Sequence, residues 1–325
     1  MNPQHVEDIP DIADVHLAQA RIRTRVRLTP VINDSALDEI LGCRLYCKCE
    51  NLQRTGAFKF RGASNAIARL RENDRDGDVA THSSGNHGAA LALAARLDGR
   101  TAHVVMPEDS SRMKIEAVRE YGGQIHFCAP TNEARAAALE KLVAAGMIPI
   151  HPYDNADIIA GQGTAALELE QAMPALEQVI TPIGGGGLIS GTAIAVRAWG
   201  VAVFGVEPEG AADTVASLQR GTIVTSITPD TIADGLRAVV GQRNFRVIRE
   251  QVRQVLTVSD DDIRDAMVLA WRTLRLLIEP SSATVIAAVR KHAGLFGGRK
   301  VGAIISGGNI DPADWLALTR RDHGR

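Results

Sequence analysis

Cysteine is scarce in this sequence, with four residues in a chain of 325. Cys43, Cys47 and Cys49 lie close together and Cys128 stands apart, but the paired Cys-x-x-Cys spacing of a zinc site is missing. Cys47 and Cys49 are two positions apart in a segment with a strand pattern, so their side chains point to the same face. We therefore interpret the cysteines as packing residues and expect them to form neither a metal site nor a redox pair.

The sequence also lacks an excess of one charge sign. It contains 36 basic and 38 acidic residues, and its formal net charge is -2. Such a chain has no electrostatic field that would attract nucleic acid or an anionic membrane surface. The expected partners are a small-molecule substrate and other subunits, with a homodimer as the predicted assembly.

A long apolar run is missing as well. The longest uncharged stretch, residues 178–196, is interrupted by Pro182 and by four successive glycines, which predicts no transmembrane helix. The first residues include acids where a signal peptide would carry basic residues followed by an apolar run. These features predict a cytoplasmic protein.

What the sequence does contain is a regular alternation of strand and helix patterns. Hydrophobic residues make up 45% of the chain, enough to supply a sizeable core. Short apolar strands alternate with helical segments between residues 78 and 206, a pattern typical of parallel sheets covered by helices. Residues 207–255 are less regular and predict loops with short helices. We predict an α/β fold of two open, twisted parallel-sheet domains with a cleft between them.

Three loops share one layout: each follows a predicted strand and is rich in glycine or serine. They lie at residues 83–88, 184–187 and 306–309. Such loops lie at the carboxyl ends of parallel strands, where ligands bind, so all three can line one cleft.

The glycine loop consists of Gly184, Gly185, Gly186 and Gly187. Four glycines let the backbone N–H groups converge, and the helix that follows adds the positive end of its dipole. This predicts a phosphate-binding turn. The P-loop and dinucleotide spacings are both missing, which points to a small phosphorylated cofactor. A tight packing turn is the alternative.

Lys59 stands between Phe58 and Phe60, where a strand pattern gives way to a helix pattern. Apolar surroundings lower the pKa of a lysine and make its amine a nucleophile, which suits a Schiff base to a carbonyl cofactor. The alternative is that Lys59 only decorates the first turn of a helix. The loop at residues 83–88 offers hydroxyl, amide and imidazole groups at a helix start, which suit a carboxylate but also an ordinary capped turn. Together these features describe a site for pyridoxal 5′-phosphate and an amino acid.

The order of these segments resembles the fold type II pyridoxal-phosphate enzymes, and more closely their threonine/serine dehydratase and serine racemase branch. The segments are ENLQRTGAFKFRGA (50–63), THSSGNHG (81–88), GGGG (184–187), VEPEGAAD (206–213), LLIEPSSA (276–283) and SGGN (306–309). The resemblance implies a tryptophan synthase β-like fold, which we divide into a large cofactor-binding domain (1–72 and 152–325) and a small domain (73–151).

The resemblance also implies roles for single residues. Lys59 would hold the cofactor and later serve as the base at the α-carbon. The other cofactor contacts would be Phe58 on the ring, Asn86 on the 3′-oxygen, Gly184 to Gly187 on the phosphate and Ser306 on the pyridine nitrogen. The substrate carboxylate would be received by Ser83, Ser84, Asn86 and His87.

The implied activity is an ammonia-lyase reaction that converts a β-hydroxy-L-amino acid of the threonine or serine type to a 2-oxo acid and ammonia. The neutral hydroxyl of Ser306 does not enforce a protonated ring, which favours β-elimination. Serine racemase is the alternative, and it needs a second base, for which Ser84 is available. A non-enzymatic amino-acid-binding protein would require Lys59 to be inert.

The substrate stays open between several β-hydroxy amino acids. Arg135 lies on a predicted helix where related enzymes can direct an arginine to a second carboxylate, which would favour 3-hydroxyaspartate. The apolar stretch Ala238, Val239 and Val240 would instead suit threonine or a larger substrate such as phenylserine.

The resemblance further implies a divalent cation held by Glu207, the carbonyl of Ala211 and Asp213. Oxygen ligands of this kind suit Mg²⁺, Ca²⁺ or Mn²⁺. Without the resemblance, two acids in a loop would be interpreted as solvated.

Overall fold

The computed structural model describes residues 9–83 and 85–320 and contains two separate β-sheets. The strands are β1 (Val31–Ile32), β2 (Arg44–Cys49), β3 (Val79–His82), β4 (Ala102–Pro107), β5 (Gln124–Cys128), β6 (Ile148–Pro149), β7 (Gln178–Pro182), β8 (Ala202–Pro208), β9 (Gln254–Val258) and β10 (Lys300–Ile305). The larger sheet has the order β1-β2-β10-β7-β8-β9 and the smaller one β5-β4-β3-β6. All pairs are parallel except β1 with β2.

Helices connect these strands. They are α1 (Ile12–Ile22), α2 (Ser35–Leu41), α3 (Lys59–Glu72), α4 (Asn86–Arg96), α5 (Arg112–Glu120), α6 (Asn132–Ala144), α7 (Ala156–Ala172), α8 (Gly187–Val196), α9 (Asp213–Arg220), α10 (Gln242–Gln251), α11 (Asp260–Leu274), α12 (Pro280–Lys291), α13 (Ala293–Phe296) and α14 (Pro312–Thr319). The predicted α/β fold with parallel sheets is thereby confirmed. In the described part of the chain, none of these helices is long and apolar enough to cross a membrane.

The smaller sheet is built from strands between residues 79 and 149, whereas the larger sheet takes strands from both sides of that range. This arrangement is compatible with a small domain of residues 73–151 inserted in a large one. The boundaries themselves stay a prediction.

Two helices that follow one another along the chain, α7 and α8, pack closely against each other. Helices α7 and α8 cross at glycines, and a Cβ atom on Gly191 would lie 2.4 Å from the carbonyl oxygen of Ile159. Any side chain at this position would push the two backbones apart. The small residues of these helices therefore determine how closely α8, which follows the glycine loop, lies against α7.

A buried group of charges lies beneath the start of α3. The Arg61 guanidinium contacts Glu50 and Glu168, each at 2.7 Å, and Lys48 contacts Glu168 at 2.6 Å. The side chains of Arg61 and Glu50 are 0% exposed. Lys48 lies between two cysteines of β2 and is buried too, so this strand is covered on both faces.

Two elements depart from the predicted pattern. Helix α2, which Asp34 caps by accepting from the backbone N–H of Leu37, was not predicted. Strand β9 begins at the end of the region 207–255, which was predicted as loops with short helices, and it pairs with β8 from Phe204 onward. Its sequence, QVLTV, is five residues long and does not alternate polar and apolar residues, so pairing with β8 and not a local pattern accounts for the strand.

Candidate active site

A cavity of about 460 Å³ lies at the carboxyl ends of strands from both sheets. All three predicted loops reach its wall. The predicted site residues on this wall are Phe58, Lys59, Ser83, Asn86, His87, Arg135, Gly184, Gly185, Gly186, Gly187 and Ser306. Ser84 lies outside the described residues. Glu207, Ala211 and Asp213 are not on the wall of this cavity.

Lys59 is the first residue of α3, and its side chain ends in the cavity. The Nζ atom donates to the carbonyl oxygen of Pro152 at 2.9 Å and lies 5.2 Å from the centre of the Phe58 ring. Burial lowers the pKa of Lys59 to about 8, because the charged form loses its hydration. The lysine therefore supplies a neutral amine more readily than a solvated lysine does.

The backbone around Lys59 is tied to the last loop. Ala57 forms an antiparallel bridge with Gly307, and the N–H of Phe58 donates to the carbonyl oxygen of Ser306 at 2.9 Å. These bonds hold the lysine segment and Ser306 in one register, although they are far apart in sequence.

The glycine loop is shaped by close contacts. Gly186 has φ +90°, which favours glycine, and a Cβ atom on Gly185 would lie 2.2 Å from the ring of Tyr153. The carbonyl oxygen of Gly185 accepts from the N–H of Gly241 at 3.0 Å and from the Asn244 amide at 2.7 Å. The loop leads directly into α8, whose first N–H groups and dipole make it an anion site.

In the loop that begins at Ser83, the Ser83 hydroxyl forms hydrogen bonds within the loop. The Ser83 oxygen accepts from the N–H groups of Gly85 at 3.2 Å and Gly88 at 3.1 Å, so it caps the turn before α4. His87 is buried, and burial together with the nearby Lys59 charge lowers its pKa well below the usual value. The imidazole is therefore neutral and can act as a single hydrogen-bond donor.

Asn86 lies in a network that the sequence did not predict. Its amide nitrogen donates to Glu279 at 2.9 Å, and its oxygen accepts from Asn309 at 2.8 Å. The same amide nitrogen also lies 3.2 Å from the second carboxylate oxygen of Glu279. Burial, and then the Asp234 charge, raises the pKa of Glu279 to about 7.

Glu279, Tyr153, Lys114 and Asp234 are further cavity residues that sequence reasoning missed. A usable signal existed for Glu279, because Pro280 marks the first turn of a helix and Glu279 directly precedes it. No comparable signal marks Lys114, whose ion pair with Asp234 joins elements 120 positions apart.

Cationic side chains are among the residues that line the cavity. Arg135, on α6, directs its side chain to the wall, and its buried Nε has no hydrogen-bond partner within residues 9–83 and 85–320. Lys114, on α5, lies on the same wall. A second acidic group on a ligand would therefore find basic side chains in reach.

The predicted cation ligands form a separate, buried acidic pair. Glu207 accepts from the backbone N–H groups of Thr214 and Val215, each at 3.0 Å, and Asp213 accepts from the N–H of Val240 at 2.9 Å. Burial, and for Glu207 also the neighbouring Asp213, raises the pKa of Glu207 to about 8, and burial raises that of Asp213 to about 6.

Two buried acids whose pKa values are raised by burial, one of them also by its neighbour, suit a divalent cation. Among the described residues, no group of three or more His, Cys, Asp or Glu side chains could hold a metal. Backbone oxygens or water would have to complete the shell, and the buried Ala211 lies between the two acids in sequence.

Comparisons with known proteins agree with this geometry. Residues 22–307 match the family described as pyridoxal-phosphate dependent enzyme. The chain is 44% identical to serine racemase of Dictyostelium discoideum, over 96% of this chain and 97% of the relative, and 41% identical to beta-hydroxyaspartate dehydratase of Paracoccus denitrificans, over 93% and 97%. The solved structure of maize serine racemase has a TM-score of 0.92 at 40% identity, over 96% of this chain and 97% of that one.

Proposed function

The chain belongs to the family of pyridoxal-phosphate-dependent enzymes, and on that premise we propose that it is an ammonia-lyase for β-hydroxy-L-amino acids of the threonine or serine type. The products are a 2-oxo acid and ammonia. The observation that carries the proposal is the placement of the Lys59 amine on the same cavity wall as the glycine loop and Ser306. The lowered pKa of Lys59, about 8, supports a role in proton transfer.

The residues present fit pyridoxal 5′-phosphate. The side-chain-free loop at Gly184 to Gly187 opens α8 and suits the phosphate, Lys59 suits the aldehyde carbon, and Ser306 offers a hydroxyl to the ring nitrogen. When bound, this cofactor supplies an electron sink for the bond broken at the α-carbon.

The side chains of the cavity then transfer the proton and bind the substrate. The neutral Lys59 amine takes the proton from the substrate α-carbon at its Nζ atom. Asn86, held by Glu279 and Asn309, lines the cavity and would contact the bound cofactor. The N-terminal turn of α4 and the His87 imidazole receive the substrate carboxylate. The electron pair released at the α-carbon forms the double bond to the β-carbon, and the β-hydroxyl leaves with the electrons of its carbon–oxygen bond. The resulting enamine takes up water to give the 2-oxo acid and ammonia.

The test is a product assay on the purified protein loaded with pyridoxal 5′-phosphate. L-threonine, L-serine, 3-hydroxyaspartate and phenylserine are supplied one at a time, and 2-oxo acid and ammonia are followed. We expect 2-oxo acid from L-threonine or L-serine, and less D-serine than pyruvate from L-serine. If D-serine forms faster than pyruvate, the protein is a racemase and the lyase proposal is wrong.

A dicarboxylic substrate, 3-hydroxyaspartate, is a second candidate, and Arg135 is the observation that favours it. Its unpartnered Nε faces a cavity that also holds Lys114. The similarity to a beta-hydroxyaspartate dehydratase adds support.

Replacing Arg135 by leucine separates the two candidates. A charge-assisted hydrogen bond contributes about 1.5–3 kcal/mol, so kcat/KM for 3-hydroxyaspartate is expected to fall by about 10- to 100-fold. The value for L-threonine should change by less than about threefold, because no second carboxylate is present. Arg112→Leu is the matched control, since Arg112 is an exposed helix residue that pairs with Glu116. Equal losses for both substrates would contradict a specific role for Arg135.

We also propose that Glu207, Asp213 and the carbonyl of Ala211 bind a divalent cation. Adding Mg²⁺ at 100 times its Kd is expected to stabilise the protein by about 2.7 kcal/mol, visible as a rise in Tm. The rise should disappear in Glu207→Gln and persist in Glu209→Gln, because Glu209 is exposed and pairs with Lys291. An unchanged rise in Glu207→Gln would place the cation elsewhere.

A further inference from the structure

Asn309 closes the loop at residues 306–309, and the proposed mechanism gives it no task. It is half-buried and is not one of the residues that line the cavity. Its amide nitrogen lies 2.7 Å from the carbonyl oxygen of Thr55 and 2.8 Å from the side-chain oxygen of Asn86. Asn309 therefore connects the segment that leads to Lys59 with a residue on the cavity wall.

The chemistry of the partners fixes the direction of these hydrogen bonds. A backbone carbonyl only accepts, so the Asn309 atom beside Thr55 is the amide nitrogen. An amide nitrogen donates two protons and accepts none, so the Asn86 atom beside it is the side-chain oxygen. The Asn86 nitrogen then faces Glu279, 2.9 Å from one carboxylate oxygen. If the Asn86 amide were turned over, two nitrogens would meet at Asn309 and two oxygens would meet at an ionised Glu279.

The Thr55 carbonyl that anchors Asn309 belongs to a strained turn. Thr55 has φ +60°, a left-handed value that is unfavourable for a β-branched residue, and Gly56 follows with φ +71°. The last loop holds both carbonyls of this turn, because the N–H of Gly308 donates to Gly56 at 2.9 Å and Asn309 donates to Thr55. A Cβ atom on Gly56 would collide with the Asn309 amide, so glycine leaves the room that this contact needs. The turn therefore gives Asn309 a fixed anchor shortly before Lys59 in the chain.

We propose that Asn309 is a positioning residue that fixes the orientation of the Asn86 amide, with the Asn86 oxygen held by Asn309 and the Asn86 nitrogen directed to Glu279. This inference rests on the proposed function, because Asn86 is a cofactor contact of that same site. An asparagine side chain without such a partner can turn over and exchange its donor and its acceptor. With its oxygen held, Asn86 presents one arrangement to the cofactor, and binding requires no reordering of this side chain.

The test measures the binding of pyridoxal 5′-phosphate to the full chain in the wild type, Asn309→Ala and Asn309→Asp. Equilibrium dialysis gives the Kd, and the absorption maximum of the bound cofactor gives a second readout. Loss of a hydrogen bond in Asn309→Ala is expected to raise the Kd about 5- to 10-fold. Aspartate has the shape of asparagine but offers no proton, and its charge repels two oxygens. The Kd of Asn309→Asp should therefore rise by about 10- to 100-fold, with a shifted absorption maximum.

Asn51→Ala is the matched control. Asn51 is also half-buried and its amide also donates to a backbone carbonyl, that of Leu277, at 3.4 Å. It forms no hydrogen bond to Asn86 or Thr55 in the part of the chain that the structure describes. The Kd of Asn51→Ala should stay within about twofold of the wild-type value, which is well below the loss of one hydrogen bond.

A second background tests whether Asn309 acts through Asn86. When Asn86 is already alanine, Asn309→Ala should change the Kd by less than about twofold, because the amide that Asn309 orients is gone. Circular dichroism shows which variants are folded. If Asn309→Asp does not fold, Asn309→Ala with and without Asn86 decides the question.

The negative outcomes have different meanings. Folded variants of Asn309 that bind the cofactor with the wild-type Kd overturn the role of Asn309 and leave the lyase proposal intact. The same holds if Asn309→Ala raises the Kd equally with and without the Asn86 side chain, since Asn309 then acts on the turn before Lys59 and not on Asn86. A wild-type protein that binds no pyridoxal 5′-phosphate overturns the proposed function itself.

Discussion

Replacing Lys59 by alanine is expected to reduce 2-oxo acid formation by about 10²- to 10⁴-fold, the contribution typical of a positioned proton-transfer group. The visible absorption band of the bound cofactor should disappear as well, because Lys114, which also lines the cavity, is held in an ion pair with Asp234. The Lys59 Nζ atom donates to the Pro152 carbonyl at 2.9 Å on the cavity wall. Stopped-time product assays and absorption spectra of the same preparation measure both effects.

Lys141→Ala is the matched control for this experiment. Lys141 is an exposed residue near the end of α6, so its removal should alter neither the spectrum nor the rate. If Lys59→Ala keeps both the band and most of the rate, the cavity described above is not the reaction site. If it keeps the band alone, the cofactor is held by another group and Lys59 acts only as the base.

Replacing Arg61 by methionine is expected to lower the free energy of unfolding by about 3–5 kcal/mol, because it leaves Glu50 and Glu168 as buried charges without their main partner. Arg61 is fully buried and contacts both carboxylates at 2.7 Å. Urea denaturation of the two proteins gives the difference. Arg264→Met is the control: Arg264 is a surface residue paired with Asp261, and its loss should cost less than about 1 kcal/mol.

The difference in free energy of unfolding between wild type and Arg61→Met should also depend on pH. Burial by itself would raise the pKa of Glu50, but the charge and hydrogen bonds of Arg61 lower it below the usual value. A carboxyl with a lowered folded-state pKa contributes stability above its unfolded pKa and loses it as the pH falls through the folded value. The difference between wild type and Arg61→Met should therefore shrink in acid. A difference that grows in acid would contradict this account.

The family and the fold class could be predicted from the sequence because the decisive signals are local. The glycine loop, the lysine segment and the serine at position 306 each follow a strand, and in a parallel sheet such positions converge at one edge. The structure places all three on one cavity, and the family match confirms the predicted resemblance. The roles assigned to single residues stay predictions that the experiments above address.

Contacts between distant segments could not be predicted in the same way. Glu279 meets Asn86 across 193 positions, and Lys114 meets Asp234 across 120. Strand β9 pairs in parallel with β8. The buried Lys48 donates a hydrogen bond to Glu168, which lies on α7. None of these residues has a neighbour in sequence that marks its partner.

By itself, then, the sequence determined the α/β fold, the order of its loops and the family to which the chain belongs. Hydrophobic periodicity and glycine positions are local features, so they can be recognised from the sequence without the structure. Only the tertiary structure decided the lowered pKa of Lys59 and which side chains line the cavity with it. Each of these depends on burial and on hydrogen bonds from elements remote in the chain, and such distances exist only once the chain has folded.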